Sequence, residues 1–323
     1  MILKRGALLV LILALTAGVV FAAGGKQGTA SKYKIGVSIP SAEYTFFATM
    51  EAAIRSAYPT ERATVTVFDG QNNQQKQNQD IEDMITQKYN GIVLIPITVE
   101  GAIPAIRYAN QQKVPIITVD REVAPNTGVE VIGFVGADHR PMGVQTANLL
   151  IAAMEKMFPG QRIFNVVELL GTQGSSAAIL REEGIHSVFD KDPRIKYISL
   201  DGNFETTKAL SVAEDQLTAN PNLHGFVCHN DMMAEGVYQA LVNMNKVGKV
   251  AITGIDGQRS TVELVVKGGI SGTVIQYPKM VTMGVEVMCD YLDGKQIQYT
   301  NFYPSDPCGP DVAQKMIDNG SAW

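Results

Sequence analysis

The chain has 323 residues, 46% of them hydrophobic and 18% charged, with 30 glycines and a net charge of −5. That length exceeds what one hydrophobic core usually serves, so two lobes are expected. No basic run exceeds two residues, which excludes the clustered positive footprint that binding to nucleic acid requires.

The first 22 residues read as a secretory signal peptide. Lys4 and Arg5 form a charged start, Ala7 to Val20 an apolar stretch, and Val20-Phe21-Ala22 a compact cleavage site. An apolar run of about 16 residues falls short of the roughly 20 needed to span a bilayer. Cleavage after Ala22 therefore stands against an uncleaved membrane anchor as the alternative, and the expected location is outside the cytoplasm. No cysteine near the site would carry a lipid. Removal of Lys4 and Arg5 leaves 25 basic residues against 32 acidic ones, a mature charge of −7.

Short apolar runs then recur along the chain. They are Tyr33–Ile39, Thr64–Phe68, Ile92–Ile97, Pro115–Val119, Val131–Val135, Ile163–Leu169, Ile195–Leu200, Gly225–Cys228, Val250–Ile255 and Gly272–Gln276. Uninterrupted β-branched runs suit strands buried on both faces of a parallel sheet. Helical stripes lie between them: Ile81, Met84, Ile85 and Tyr89 form one, and Val144, Ala147, Ile151, Met154 and Phe158 another. Strand–helix alternation of this kind predicts an α/β fold of right-handed βαβ units, and about ten strands fit two doubly wound sheets better than one. No Gly/Ser linker divides the chain, so the two lobes exchange the chain more than once.

Ligands of open parallel sheets sit beyond the carboxyl ends of the strands. The residues found there are Glu43, Tyr44, Phe46 and Phe47; Thr98 and Glu100; Asp120 and Arg121; Asp138; a Gly171–Gly174 turn with Arg181 on the next helix; Asn203 and Phe204; Asn230 and Asp231; Asp256; and Gln276. Arg, Asp, Asn and Gln groups suit vicinal hydroxyls, which donate and accept at once. Aromatic rings suit the C–H faces of a sugar. Singly, an Asp after a strand is a turn former or helix cap, and Phe46-Phe47 alone would be core. Their joint placement at strand ends favours a ligand cleft.

These residues resemble the periplasmic sugar-binding proteins of the ribose-binding type over about Tyr33 to Tyr303. The marks are Phe46-Phe47, Asp69-Gly-Gln-Asn-Asn73, Val114-Pro-Ile-Ile-Thr-Val-Asp-Arg121, Gly174-Ser-Ser-Ala-Ala178 with Arg181-Glu-Glu-Gly184, His229-Asn-Asp231, Gly254-Ile-Asp-Gly257 and Thr273-Val-Ile-Gln276. The resemblance implies two lobes around a ligand cleft, with three crossings: near Ala137-Asp138, near Gln276-Tyr277 and near Thr300–Pro304. One lobe would hold residues 33–137 and 277–300, the other 138–276 and 301–323. It further implies ligand contacts at Phe46, Phe47, Asp120, Arg121, Arg181, Phe204, Asn230, Asp256 and Gln276, to which Tyr44 and Asp138 are added from their strand-end positions. The implied ligand is a monosaccharide or polyol, and the implied partner the permease of an ABC importer, served by a monomer without a cofactor. A ligand-sensing subunit for chemotaxis or a sensor kinase would use the same pocket.

The chain departs from the ribose-type pattern at the first turn, where Tyr44-Thr-Phe-Phe47 replaces Asn-Pro-Phe-Phe, and after the fifth strand, where Asp138-His139 replaces Asp-Asn. A sugar-modifying enzyme is the weaker reading: neither a His-Glu-x-x-His motif nor a Gly-x-Ser-x-Gly elbow occurs. His224, Cys228 and His229 have a metal-like spacing, but neighbours on a strand point to opposite faces. Of the three cysteines, Cys289 and Cys308 are the better candidates for a disulfide, with buried free thiols as the alternative.

Overall fold

Strand burial in the computed structural model, which describes residues 31–323, follows the apolar runs. The chain begins with β1 (Tyr33–Ile39), α1 (Thr45–Ala57), β2 (Ala63–Asp69), α2 (Gln74–Thr86), β3 (Gly91–Leu94), α3 (Ile103–Gln111), β4 (Ile116–Val119) and β5 (Phe134–Gly136). It continues with α4 (His139–Met157), β6 (Phe164–Leu170), α5 (Ser176–Phe189), β7 (Ile195–Asp201), α6 (Thr206–Ala219), β8 (Gly225–Cys228), α7 (Asp231–Asn243), β9 (Ala251–Asp256), α8 (Arg259–Val266) and β10 (Gly272–Gln276). It ends with α9 (Met280–Leu292), β11 (Thr300–Phe302), β12 (Ser305–Cys308) and α10 (Pro310–Asp318). The signal-like segment of residues 1–22 lies outside the described residues.

Among the described residues the strands form two six-stranded sheets, ordered β11-β5-β4-β3-β1-β2 and β12-β10-β9-β8-β6-β7. All pairings are parallel except β10 with β12. The inner strands β3, β4, β8, β9 and β10 are buried at every position. The edge strands β2 and β7 share a buried–exposed alternation, because only one face of an edge strand is fully covered.

The chain leaves the first sheet after β5, returns after β10 as α9, which packs on β3, β4 and β5, and leaves again between β11 and β12. Residues 301 and 302, assigned from the sequence to the second lobe, pair with β5 in the first sheet. The strands β11 and β12 were not legible as apolar runs. β12 carries Pro307 at the sheet's margin, where a missing N–H costs no ladder bond.

Cys289 lies on α9 and Cys308 on β12, so they belong to different sheets, and all three cysteines are buried free thiols. Of the two readings left open by the sequence, this is the one with buried free thiols and not the Cys289–Cys308 pair. Burial pushes the Cys289 and Cys308 thiols up to about 11.

One glycine pair sets the position of α5. A Cβ on Gly143 would stand 2.2 Å from the Arg181 carbonyl oxygen, and one on Gly184 would stand 2.2 Å from that of Arg140. Two bare backbones let α4 and α5 touch, and that contact fixes where α5 delivers the Arg181 side chain. In Gly143→Ala the gain in helix propensity, about 1 kcal/mol, is outweighed by a clash with rigid backbone. The variant should lose about 1 to 3 kcal/mol of stability, read as a lower urea midpoint at unchanged slope.

Candidate functional site

Helices α1, α5 and α7 begin where strands of the two sheets end, and their first turns line a cavity between the sheets. From the first lobe come Tyr44, Phe46, Phe47, Asp120 and Arg121. From the second come Arg181, Phe204, Asn230, Asp256 and Gln276, together with Ala177 and Met232.

The two lobes touch around this cavity. The Val99 N–H donates to the Gly174 carbonyl at 2.8 Å, and the Glu122 N–H to the Ser176 hydroxyl at 2.8 Å. The Phe46 and Trp323 rings meet at 5.6 Å between centroids.

Two arginine–aspartate pairs face each other inside. Arg121 Nε lies 3.9 Å from Asp120 Oδ2, and Arg181 Nη2 lies 3.9 Å from Asp256 Oδ1. All four residues are at most 3% exposed. These separations exceed hydrogen-bond length, so the charges balance while keeping unused donors and acceptors. Asp120 Oδ1, Arg121 Nε, Arg181 Nε and Gln276 Oε1 are buried without a hydrogen-bond partner.

What the guanidiniums do hold is backbone. Arg121 Nη1 donates to the Ile97 carbonyl at 3.2 Å, and Arg181 Nη1 donates to the His229 carbonyl. Gln276 Nε2 donates to Asp256 Oδ1 at 2.9 Å. Asn230 is shared between two jobs: its side-chain oxygen caps α7 at the Met233 N–H, 2.9 Å away, while its amide reaches the Phe204 carbonyl at 3.4 Å.

The aromatic rings carry the charges as well as the walls. The Arg121 guanidinium carbon lies 5.2 Å from the Phe47 ring centroid and 5.5 Å from that of Phe204, and Arg181 lies 5.8 Å from Phe204. Each such contact is worth about 0.5 to 2 kcal/mol. Gly171 makes room for Phe204, since a Cβ there would stand 2.0 Å from its ring.

Burial dominates the electrostatics. It lowers Arg121 to about 10 and lowers Arg181, both against the pull of their carboxylates, and both guanidiniums stay charged at neutral pH. It raises Asp120 and pushes Asp256 up to about 6, with Arg181 and the Gln276 amide opposing.

Asp138 is not at this site. It is exposed and caps α4, accepting from the Arg140 N–H at 3.2 Å, as an Asp ahead of a helix commonly does. Its neighbour His139 is the residue turned inward: Nε2–H donates to the Asp120 carbonyl at 2.7 Å, and burial pushes the imidazole well below its ordinary pKa, so it is neutral. Asp231 also stands behind the cavity, accepting from the Gly257 and Gln258 N–H groups and the Thr273 hydroxyl. Met232, Ala177 and Trp323 did not stand out as site residues in the sequence, because a Met, an Ala or a lone aromatic there is indistinguishable from core, and His139 stood out only as a departure beside Asp138.

Below Arg181 lies a second buried polar cluster. Glu168 accepts from His229 Nε2–H at 2.9 Å, His186 Nε2–H at 2.8 Å and the Ser199 hydroxyl at 2.6 Å, while His229 Nδ1 accepts from the Gly171 N–H. Glu182 brings a second carboxylate near Glu168 and His186, with donor atoms within 4.8 Å of one another. Glu168 already has full hydrogen-bonding partners there. His224 is taken up elsewhere, accepting from the Asn165 N–H, so the His224, Cys228 and His229 spacing gathers no metal set.

Residues 35–296 match the periplasmic binding protein domain family, and the chain belongs to it. It is 29% identical over 276 residues to the ribose import binding protein RbsB of Bacillus subtilis, spanning 85% of this chain and 86% of that protein. It is similar to the crystal structure of an ABC transporter periplasmic solute binding protein from Actinobacillus succinogenes 130z with bound D-allose, with a TM-score of 0.80 and 26% identity, covering 88% of this chain and 100% of that one. A galactofuranose binding protein shares the fold at a TM-score of 0.83 and 24% identity, over 89% and 98% of the two chains.

Burial alone would raise Glu168, but the His186, His229 and Ser199 hydrogen bonds hold it down at about 2, below an ordinary 4.5. A depressed carboxylate stabilises the fold above its unfolded pKa and loses that contribution as pH falls through its folded one. Over this window the contribution is about 3 kcal/mol. Glu168→Gln should lower the urea midpoint at pH 7 and flatten its decline between pH 4.5 and pH 2; an acid limb as steep as that of the parent would show that the cluster contributes nothing.

Proposed function

We propose that this chain is an exported solute-binding protein that captures one monosaccharide or polyol between its lobes and delivers it to an ABC importer as a monomer. The observation that carries this reading is the pair of buried arginine–aspartate couples, each with unused hydrogen-bonding atoms, set among Phe46, Phe47 and Phe204 in one cavity between the lobes. Fixed donors and acceptors on both lobes complement a ring of hydroxyls, and the aromatic faces complement its C–H surfaces. The ribose import relative and the D-allose complex support the same class of ligand. Since the two lobes divide the contacts, release requires them to part by a hinge motion at the three crossings. Export is supported by the charged and apolar start of the sequence and by the family.

A thermal-shift screen against pentoses, hexoses and polyols tests the reading. A ligand present at about 100 times its dissociation constant adds about 2.7 kcal/mol of apparent stability. A screen in which no sugar or polyol moves the melting temperature would sink the assignment.

Arg181→Ala removes a forked donor and leaves Asp256 buried without its counter-ion. Truncating one side of a buried charge pair costs about 2 to 5 kcal/mol, so sugar affinity should fall by at least about tenfold by calorimetry. Arg181→Lys, which keeps charge and loses the fork, should lie between the two. An Arg181→Ala affinity within about twofold of wild type would remove Arg181 from the contact set.

Binding should also depend on pH. An ionised Asp256 pairs with Arg181 and accepts a ligand hydroxyl, so ligand lowers its pKa and binding releases a proton near pH 6. Affinity is then full above about 6 and falls as pH drops below it. Titrations at pH 7.5 and pH 5 in buffers of different ionisation enthalpy check the direction, and Asp256→Asn should bind weakly at both.

A further inference from the structure

Trp323 is the only tryptophan of the chain, and it lies behind the cavity wall rather than on it. Its indole N–H is shared between the carbonyl oxygens of Asp256 and Gln276, at 2.8 Å each. Those two residues end β9 and β10 side by side, and their side chains are joined to each other. The Trp323 backbone N–H donates to the Gly257 carbonyl at 3.2 Å, and its own carbonyl accepts from the Arg259 N–H at 2.6 Å. The residue is thus fixed at both ends of its backbone, with its single side-chain donor committed.

Asp256 needs such a restraint. Its φ is +145°, a region that an L side chain rarely adopts and that persists only where the surroundings impose it. A hydrogen bond to the Asp256 carbonyl fixes the peptide plane that follows this torsion, and with it the direction of the carboxylate. The other face of the indole meets the Phe46 ring from the opposite lobe at 5.6 Å and 62°. That contact exists only while the lobes meet.

We propose that Trp323 is a positioning residue for the sugar site: its N–H orients Asp256 and Gln276, and its ring receives Phe46 when the lobes close on ligand. This rests on the sugar-binding reading above. Two consequences follow from the geometry. Loss of the indole misdirects two hydroxyl-reading groups and removes a contact of the closed state, so the effect falls on dissociation rather than on association. The one tryptophan also reports closure directly, since Phe46 arrives at its ring.

The test uses the full chain and the best sugar from the screen. Calorimetry and stopped-flow mixing on wild type and Trp323→Ala should show binding weakened by about tenfold, mostly through faster release. Trp323→Phe keeps an aromatic surface for Phe46 without the donor, and should recover only part of the loss. In wild type, saturating sugar should change tryptophan emission, and a sugar that calorimetry finds not to bind should leave it unchanged. A Trp323→Ala protein that binds within about twofold of wild type overturns the inference alone. So does a Trp323→Phe protein equal to wild type, because the N–H then orients nothing. If Trp323→Ala does not fold, wild-type emission that ignores bound sugar still overturns it. A wild type that binds no sugar overturns the functional reading, and this inference with it.

Discussion

Three of the four charged groups in the cleft, Asp120, Arg121 and Asp256, sit where a parallel strand has just run out of hydrogen-bonding partners, and the backbone there must turn sharply to aim a side chain at the opposite lobe. Three of the cavity residues, Asp120, Phe204 and Asp256, have φ of +60°, +60° and +145°. Each carbonyl is taken by a side-chain N–H: His139 on Asp120, Asn230 on Phe204 and Trp323 on Asp256. Strain of about 1 to 3 kcal/mol per residue persists only when the surroundings fix it. The braces come from the element that follows in space rather than in sequence, so the strained ends are held by the packing of the lobes themselves.

That constraint explains why the charges can be buried at all. An isolated ion in such a place would lose several kcal/mol of solvation. Here each guanidinium has a carboxylate at 3.9 Å, a backbone carbonyl as acceptor and an aromatic face beside it. None of these partners is enough to saturate it. A planar group with five donors that is held only by backbone carbonyls and balanced at a distance keeps a buried donor unused, Nε in both arginines.

The sequence made most of this scaffold readable for a physical reason. Inner strands such as Ile116–Val119 and Ala251–Asp256 are covered on both faces, so their composition is mostly apolar and free of charge until the carboxyl end. The polar residues that interrupt it at the carboxyl end, Asp120-Arg121 and Asp256, stand out against that background. Asp138 follows the same strand-end rule without reaching the cavity, because β5 ends in the crossing to the second lobe and Asp138, two residues on, caps a helix in solvent. Thr300–Phe302 and Ser305–Cys308 were unreadable as strands for the converse reason: they are short, lie at sheet margins and carry no apolar run.

What no pattern could carry were the braces. His139, Glu168 and Trp323 act through hydrogen bonds to groups far away in sequence: at a separation of 19 residues for His139, 18, 31 and 61 for Glu168, and 47 and 67 for Trp323. Periodicity reports which face of an element is covered, not which carbonyl needs a donor. The two lobes therefore differ in how they prepare their acids. Asp120 is restrained by an imidazole kept neutral by burial, so its brace has no charge to add to the site. Asp256 is restrained by an indole that cannot ionise at all. Uncharged donors leave Arg121 and Arg181 as the cations facing the carboxylates, so the charge balance of the cavity is set by the two arginine–aspartate pairs alone.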